Sequence, residues 1–213
     1  MSYSFPEGAK FLYSKTFAAA KAISALTNAD PSVASCVGNG YANGDELLLL
    51  SGWEDAGDSV YRAAAVATDQ FALQDLNTTD VNWFTPGAGI GSAQKISDWK
   101  EIPQVLTIGS TGGDPRFTTI SPLARRNAFN VPTGFNPMSV TLTLGYDAQN
   151  ATYKEMKDIS RTLTKVAFKL LLAGGASSYG YGYMAASEVP GLNNGQPNSV
   201  VASFSFIGRA TSY

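Results

Sequence analysis

The chain has 213 residues, 44% of them hydrophobic but only 15% charged, with a formal net charge of −2 and a pI near 5.1. That length supports a substantial core in one large domain or two small ones, and the shortage of charge, against a usual quarter or so, points to surface covered by something, hence to self-association. The absence of histidine and the single cysteine, Cys36, exclude Ser-His-Asp and Cys-His catalysis, HExxH zinc sites, thiolate zinc clusters and any disulfide within the chain.

The N-terminal "MSYSFPEGAKF" lacks the basic head and apolar run of a signal peptide, and no apolar run approaches the roughly 20 residues of a membrane span. The expectation is a chain kept in a cytoplasm-like compartment, so the sequons at Asn77 and Asn150 carry no glycosylation meaning. From there period-2 alternation dominates. "KFLYSKTF", "AISALT", "SVASCV", "ELLLLSGW", "VYRAAAV" and "QFALQDL" read as short strands separated by the turn chemistry of "NADP", "GNGYANGD", "EDAGDS" and "ATD". Cys36 falls in one of them as a small buried residue.

"FTPGAGIGSAQKISDW" (84–99) raises the question of a phosphate cradle. Gly87, Gly89 and Gly91 are spaced G-x-G-x-G rather than G-x-G-x-x-G, no helical pattern follows, and Ser92 stands where a P-loop has lysine. The stretch reads as a glycine-rich connection whose backbone can bend or approach a neighbour closely. Residues 109–136 show little sustained periodicity and are rich in Gly, Pro and Asn, which predicts a long irregular loop, functional or ordered by a partner.

"MSVTLTLGY" alternates most cleanly, with Met138, Val140, Leu142 and Leu144 on one face. A helix is predicted over 151–163, where Tyr153, Met156, Ile159 and Leu163 recur at helical spacing and Thr152 and Glu155 fit a capping box. A strand, a Gly174-Gly175 turn and a returning strand, "SSYGYGYMAAS", come next. "SVVASFSFIGR" closes the series. Many short strands and one helix predict a mainly β fold, a sandwich or barrel, in a single domain spanning 1–213 whose residues 1–20 form an N-terminal arm and first strand.

Chemistry for catalysis is scarce. Glu54, Asp55, Asp58, Asp75 and Asp80 sit among turn residues, where acids serve turns more often than a carboxylate hydrolase. "DAQNATYKE" fails as a calcium loop because Thr152 takes the required glycine's place. The densest basic pair is Arg125-Arg126, too little for a tight grip on nucleic acid.

The ordered series "ADP", "GD" before an apolar strand, "SGW", "VYRAAAV", "FALQDLNTTD", "F-x-PG", "ISDWKEIPQV" and "SFSFIGRATSY" resembles the tail tube proteins (major tail proteins) of long-tailed, siphovirus-type bacteriophages, from about residue 8 to the C-terminus. The resemblance implies a β-sandwich or half-barrel with one flanking α-helix, a non-enzymatic structural subunit in which six copies close a ring and the inner sheets complete a β-barrel. Rings stack into a tube around a tape-measure protein, bounded by tail-tip and tail-terminator proteins, and DNA passes through the lumen without specific binding. It also implies a place in the virion tail, with assembly in the host cytoplasm and no cofactor, metal or membrane. Trp53, Trp83, Phe84, Trp99 and Phe117, with Gly87, Gly89 and Gly91 nearby, are the candidate subunit-interface residues, against the plainer alternative that most of these aromatics are core. Two other readings stand beside this one. A carbohydrate-binding sandwich could present Tyr179, Tyr181 and Tyr183 on one strand face, and the tube of a contractile tail or secretion system would share the same fold logic.

Overall fold

A computed structural model describes residues 7–192 and 194–213. The expected N-terminal arm, 1–20, therefore lies partly outside the described residues. The first strands are β1 (Lys10–Ser14), β2 (Thr16–Phe17), β3 (Lys21–Ile23), β4 (Ala25–Leu26), β5 (Val33–Ser35) and β6 (Glu46–Ser51). Next come β7 (Ser59–Ala67), β8 (Gln70–Leu73), β9 (Gly91–Ser97), β10 (Lys100–Glu101), β11 (Val105–Thr111), β12 (Pro115–Ile120) and β13 (Phe129–Phe135). The remaining elements are β14 (Ser139–Gly145), the helix α1 (Ala151–Thr162), β15 (Lys165–Leu171), β16 (Ser177–Ala186), β17 (Ser199–Phe206) and β18 (Thr211–Ser212). The fold is mainly β, with antiparallel sheets and one flanking helix, as the alternation predicts.

Sheet I runs β10-β1-β15-β16-β17-β14-β11, with β18 also on β16. Sheet II runs β2-β9-β6-β7-β8-β5-β4, with β3 also on β9. Only Ser24 separates β3 from β4, and its N–H donates to Ser35 O at 3.0 Å. One run of chain thus reaches both β9 and β5, and sheet II curls around its own apolar cluster, which includes Leu47, Leu49, Trp53, Phe71 and Leu73.

The residue pattern explains the layering. In β14, Val140, Leu142 and Leu144 are buried while Thr141 faces solvent, the one-sided alternation of a sheet covered on one face. In β6, Leu47, Leu48 and Leu49 are all buried. Leu47 and Leu49 enter the sheet II cluster, whereas Leu48 joins Val60, Ile96, Ala167, Tyr179 and Tyr181 between the sheets. A strand with both faces covered needs an unbroken apolar run.

Helix α1 lies over the other face of sheet I, where Tyr153, Met156 and Ile159 join Met184, Val200 and Leu144. The predicted capping box does not form. Asn150 is the cap, its side chain accepting the Tyr153 N–H at 3.2 Å. The helix stops at Leu163, whose φ of 51° is left-handed. Glu155 instead ties the helix to sheet I, pairing with Lys15 at 2.7 Å and Lys100 at 2.8 Å and accepting from the Tyr13 hydroxyl at 3.0 Å.

The stretch 109–136 is not an irregular loop. After β11, Gly112 and Gly113 take φ of 88° and 80°, and β12 and β13 pair with each other alone as a two-stranded arm. Every β12 residue is exposed. With no buried face, there is no alternation to read.

Burial would raise the Glu155 carboxyl pKa, but hydrogen bonds from Lys100, Lys15 and Tyr13 outweigh it and hold the group at about 2, against 4.5 for the free group. The ionised carboxylate therefore contributes stability that is complete above about pH 4.5 and drains away as pH falls toward 2. Glu155→Gln is expected to cost about 1–3 kcal/mol at pH 7 and to flatten the decline in melting temperature between pH 5 and 2, followed by circular dichroism.

Candidate assembly surface

The two sheets overlap only in part. The β1-β15-β16 side of sheet I packs on sheet II through Ala167, Tyr179 and Tyr181 against Leu48, Val60 and Ile96. A polar clasp fastens this contact. Glu46 accepts from Lys169 Nζ and from the Tyr179 hydroxyl, both at 2.6 Å. Arg62 donates to the Tyr179 hydroxyl at 2.8 Å and to Ser177 Oγ at 2.6 Å, and lies 4.9 Å from the Tyr213 ring centroid. Burial pushes the Tyr213 hydroxyl pKa up. Partly buried charges are tolerable here because both ends are hydrogen-bonded.

Beyond Tyr181 the same face is uncovered. Tyr183 and Ala185 of β16 stand beside Ser205 and Ser203 of β17. Those are followed by Ser139, Thr141 and Thr143 of β14, with Val201 in the third row, and then by Thr111, Gly109 and Thr107 of β11. None of these residues is charged. The Thr111 and Ser139 hydroxyls meet at 2.8 Å. Solvent-facing sheet surface is ordinarily where charged residues collect, so a four-strand face of hydroxyls and small residues is distinctive. Its margin, β11, reads "VLTIGST" without a charge, and no strand among the described residues pairs with its outer side. A long, uncharged open edge is a template for pairing with another chain.

The predicted interface residues divide. Trp53, 3% exposed, and Phe84, 9% exposed, are core, their rings edge to face at 5.3 Å. Trp99 is half-buried, 6.4 Å from Tyr179 between ring centroids and 5.5 Å from Lys169 Nζ, and its indole N–H has no partner among the described residues. Trp83, 70% exposed, and Phe117, 55% exposed, stand free. They do not form one patch, since Phe117 lies on the arm and Trp83 in the connection before β9.

The glycine stretch serves sheet II instead of a ligand. Gly87 takes a φ of 81°, a side chain on Gly89 would sit 2.9 Å from the Trp53 ring, and one on Gly91 would sit 1.9 Å from Leu50 O. Gly91 opens β9, between β6 and the β2–β3 run, a strand hidden behind the glycines in the sequence. Tyr179, Tyr181 and Tyr183 share a strand face as predicted, but the first two are buried between the sheets, which removes the aromatic platform a carbohydrate-binding module needs. Among the described residues no group of His, Cys, Asp and Glu could hold a metal ion. Nor, among the described residues, is any helix long and apolar enough to cross a membrane, which says nothing of a β-barrel.

The sequence matches the family model described as phage tail tube protein over residues 51–213. The chain belongs to the phage tail tube protein family. This is a structural family, so the chain's place is the virion tail and its role is in the tail tube. No curated protein matches the sequence. Among solved structures it is similar to the tube-terminating cap of an anti-feeding prophage, with 14% identity and a TM-score of 0.35, over 54% of this chain and 82% of that one.

Two substitutions separate the glycine roles. Gly91→Ala drives a methyl into the Leu50 carbonyl and is expected to destabilise the tail tube protein by about 2–4 kcal/mol. Gly87→Ala meets open space and costs only the left-handed backbone penalty of about 1–2 kcal/mol. Urea denaturation of both variants checks the order.

Proposed function

We propose that the chain is the repeating subunit of the tube itself: six copies close a ring, rings stack, and the uncharged half of sheet I lines the lumen through which DNA leaves. Support comes first from the face running from Tyr183 to Thr107, whose residues are all uncharged; the one cation beside it, Lys165 of β15, stands at its border with Nζ 5.9 Å from the Tyr183 ring centroid. A lumen wall must let a polyanion slide. Cations there would retain DNA by releasing its counterions, and acids would repel it, whereas hydroxyls and small side chains do neither.

Edge pairing closes the ring in this scheme. β11 of one copy joins the sheet of the next, so that six inner faces continue as one barrel and the open margins vanish. A heterologous contact of this kind closes by rotation, while stacking contacts stay open and generate a filament. The arm, with Phe117, Ile120, Leu123 and Phe129 exposed, supplies the stacking contact and is held in place by the next ring. Tape-measure, tail-tip and tail-terminator proteins are the partners, and assembly takes place in the host cytoplasm before the tube becomes part of the virion.

Negative-stain electron microscopy with light scattering tests the proposal. Hollow rings or tubes with six-fold end views are expected, and deletion of residues 121–128 at the arm tip should leave rings that no longer stack. A protein that stays a 22.4 kDa monomer at every concentration, even with tail-tip and tape-measure proteins present, contradicts the tube.

A further inference from the structure

Three adjoining depressions follow the chain from Phe206 to Tyr213, along the line where sheet I meets the turn after β6. The first, about 250 Å³, is walled by Ile108, Val140, Leu170 and Phe206. The second, about 600 Å³, has Phe135, Met138, Phe206 and Ile207 on its floor and Glu54 and Asp55 on its rim. The third, about 380 Å³, has Leu76 and Phe84 with Asp55 and Asp75. They share Phe206, Ala210 and Asp55 in turn, so they form one groove, apolar below and acidic along one side. Among the described residues Arg209 is its one basic lining residue, and it is engaged by Asp55 at 2.6 Å. Glu54 and Asp75 remain exposed.

The arm has the opposite chemistry. It carries Arg116, Arg125 and Arg126, and no acidic residue occurs between Asp114 and Asp147. Leu123 at the tip is fully exposed, and Arg125 lies 5.9 Å from the Phe129 ring centroid. A groove that accepts apolar side chains and presents carboxylates suits this tip in both respects.

We propose that the groove along Phe206–Tyr213 is the receptor for the arm tip of a second copy, an inference that rests on the tube reading above. The arm cannot fill its own groove. Gly113, Phe135 and Asn136 at the arm's root line the groove, and the paired β12–β13 ladder holds the tip away from that root by about 20 Å, six residues at about 3.3 Å each. Tip-to-root contact therefore joins different copies and displaces each from the last by the same vector, which produces an open series along one axis. Phe117 and Ile120 lie along the shaft beside the groove's apolar walls, while Arg125 and Arg126 meet Glu54 and Asp75 on the rim.

The test replaces Leu123 in the full chain by the photocross-linker benzoylphenylalanine and mixes isotopically light and heavy protein under assembling conditions. Mixed-isotope cross-links to residues 53–55 and 206–210 are the expected result. Glu54→Arg with Asp75→Arg should reduce them roughly tenfold, and Arg125→Glu with Arg126→Glu on the incoming copy should restore them. Both pairs sit on the surface, and unchanged melting curves verify that the variants fold. Tubes whose cross-links map elsewhere, or that are indifferent to the charge swap, overturn the groove assignment and leave the tube reading standing. Protein that neither assembles nor cross-links between copies overturns both.

Discussion

The partial overlap of the two sheets governs the molecule. Sheet II covers Ala167 of β15 and the first half of β16, and the contact ends at Tyr181. On that face of β16, Ser177, Tyr179 and Tyr181 are buried, whereas Tyr183 and Ala185 beyond them are open. On the opposite face of sheet I, α1 covers Met184, Val200 and Leu144, and the face's own Phe168, Phe204 and Phe206 pack against one another. Burying Tyr179 and Tyr181 contributes on the order of 1.5–3 kcal/mol each, and the Glu46–Lys169–Tyr179–Arg62 clasp fixes the register of the overlap with directional contacts. A sliding sheet would change which residues face outward. The clasp therefore determines that the free face is made of Thr107, Thr141, Ser203 and their neighbours.

The unpaired features have a common cause. Four strands with one bare face, an edge strand without charge and an arm with exposed Phe and Leu are each unfavourable in an isolated subunit. They become favourable together when copies supply one another's missing surface. Low overall charge belongs to the same economy, because charged residues are depleted where interfaces are fully buried.

Much of this was legible in the sequence wherever one face of a strand is covered. Alternation in "MSVTLTLGY" and "SVVASFSF" marks β14 and β17 because Val140 and Phe204 point into a core while Thr141 and Ser205 do not. The same logic hides β12 and β13, whose residues are nearly all exposed, and β9, whose glycines obscure Ala93 and Ile96. Residue type alone said little about which side chains are exposed. Large aromatics were the natural candidates, yet Trp53 and Phe84 are spent within sheet II. The surface that distinguishes the chain is made of Thr, Ser and Gly, types that carry no signal until the strand register places them side by side. The missing charge was visible in the composition, but its location was not.

The central claim is that this hydroxyl face becomes the inner wall of a tube. Cys36 is buried, so a cysteine introduced by Ser203→Cys supplies a single reactive thiol for measuring access. A small maleimide should label it in the monomer and in assembled tubes, whereas a maleimide on a large polymer should label the monomer and be excluded once tubes form. If the large reagent labels Ser203→Cys equally well in intact tubes, the face is turned outward and the account is wrong.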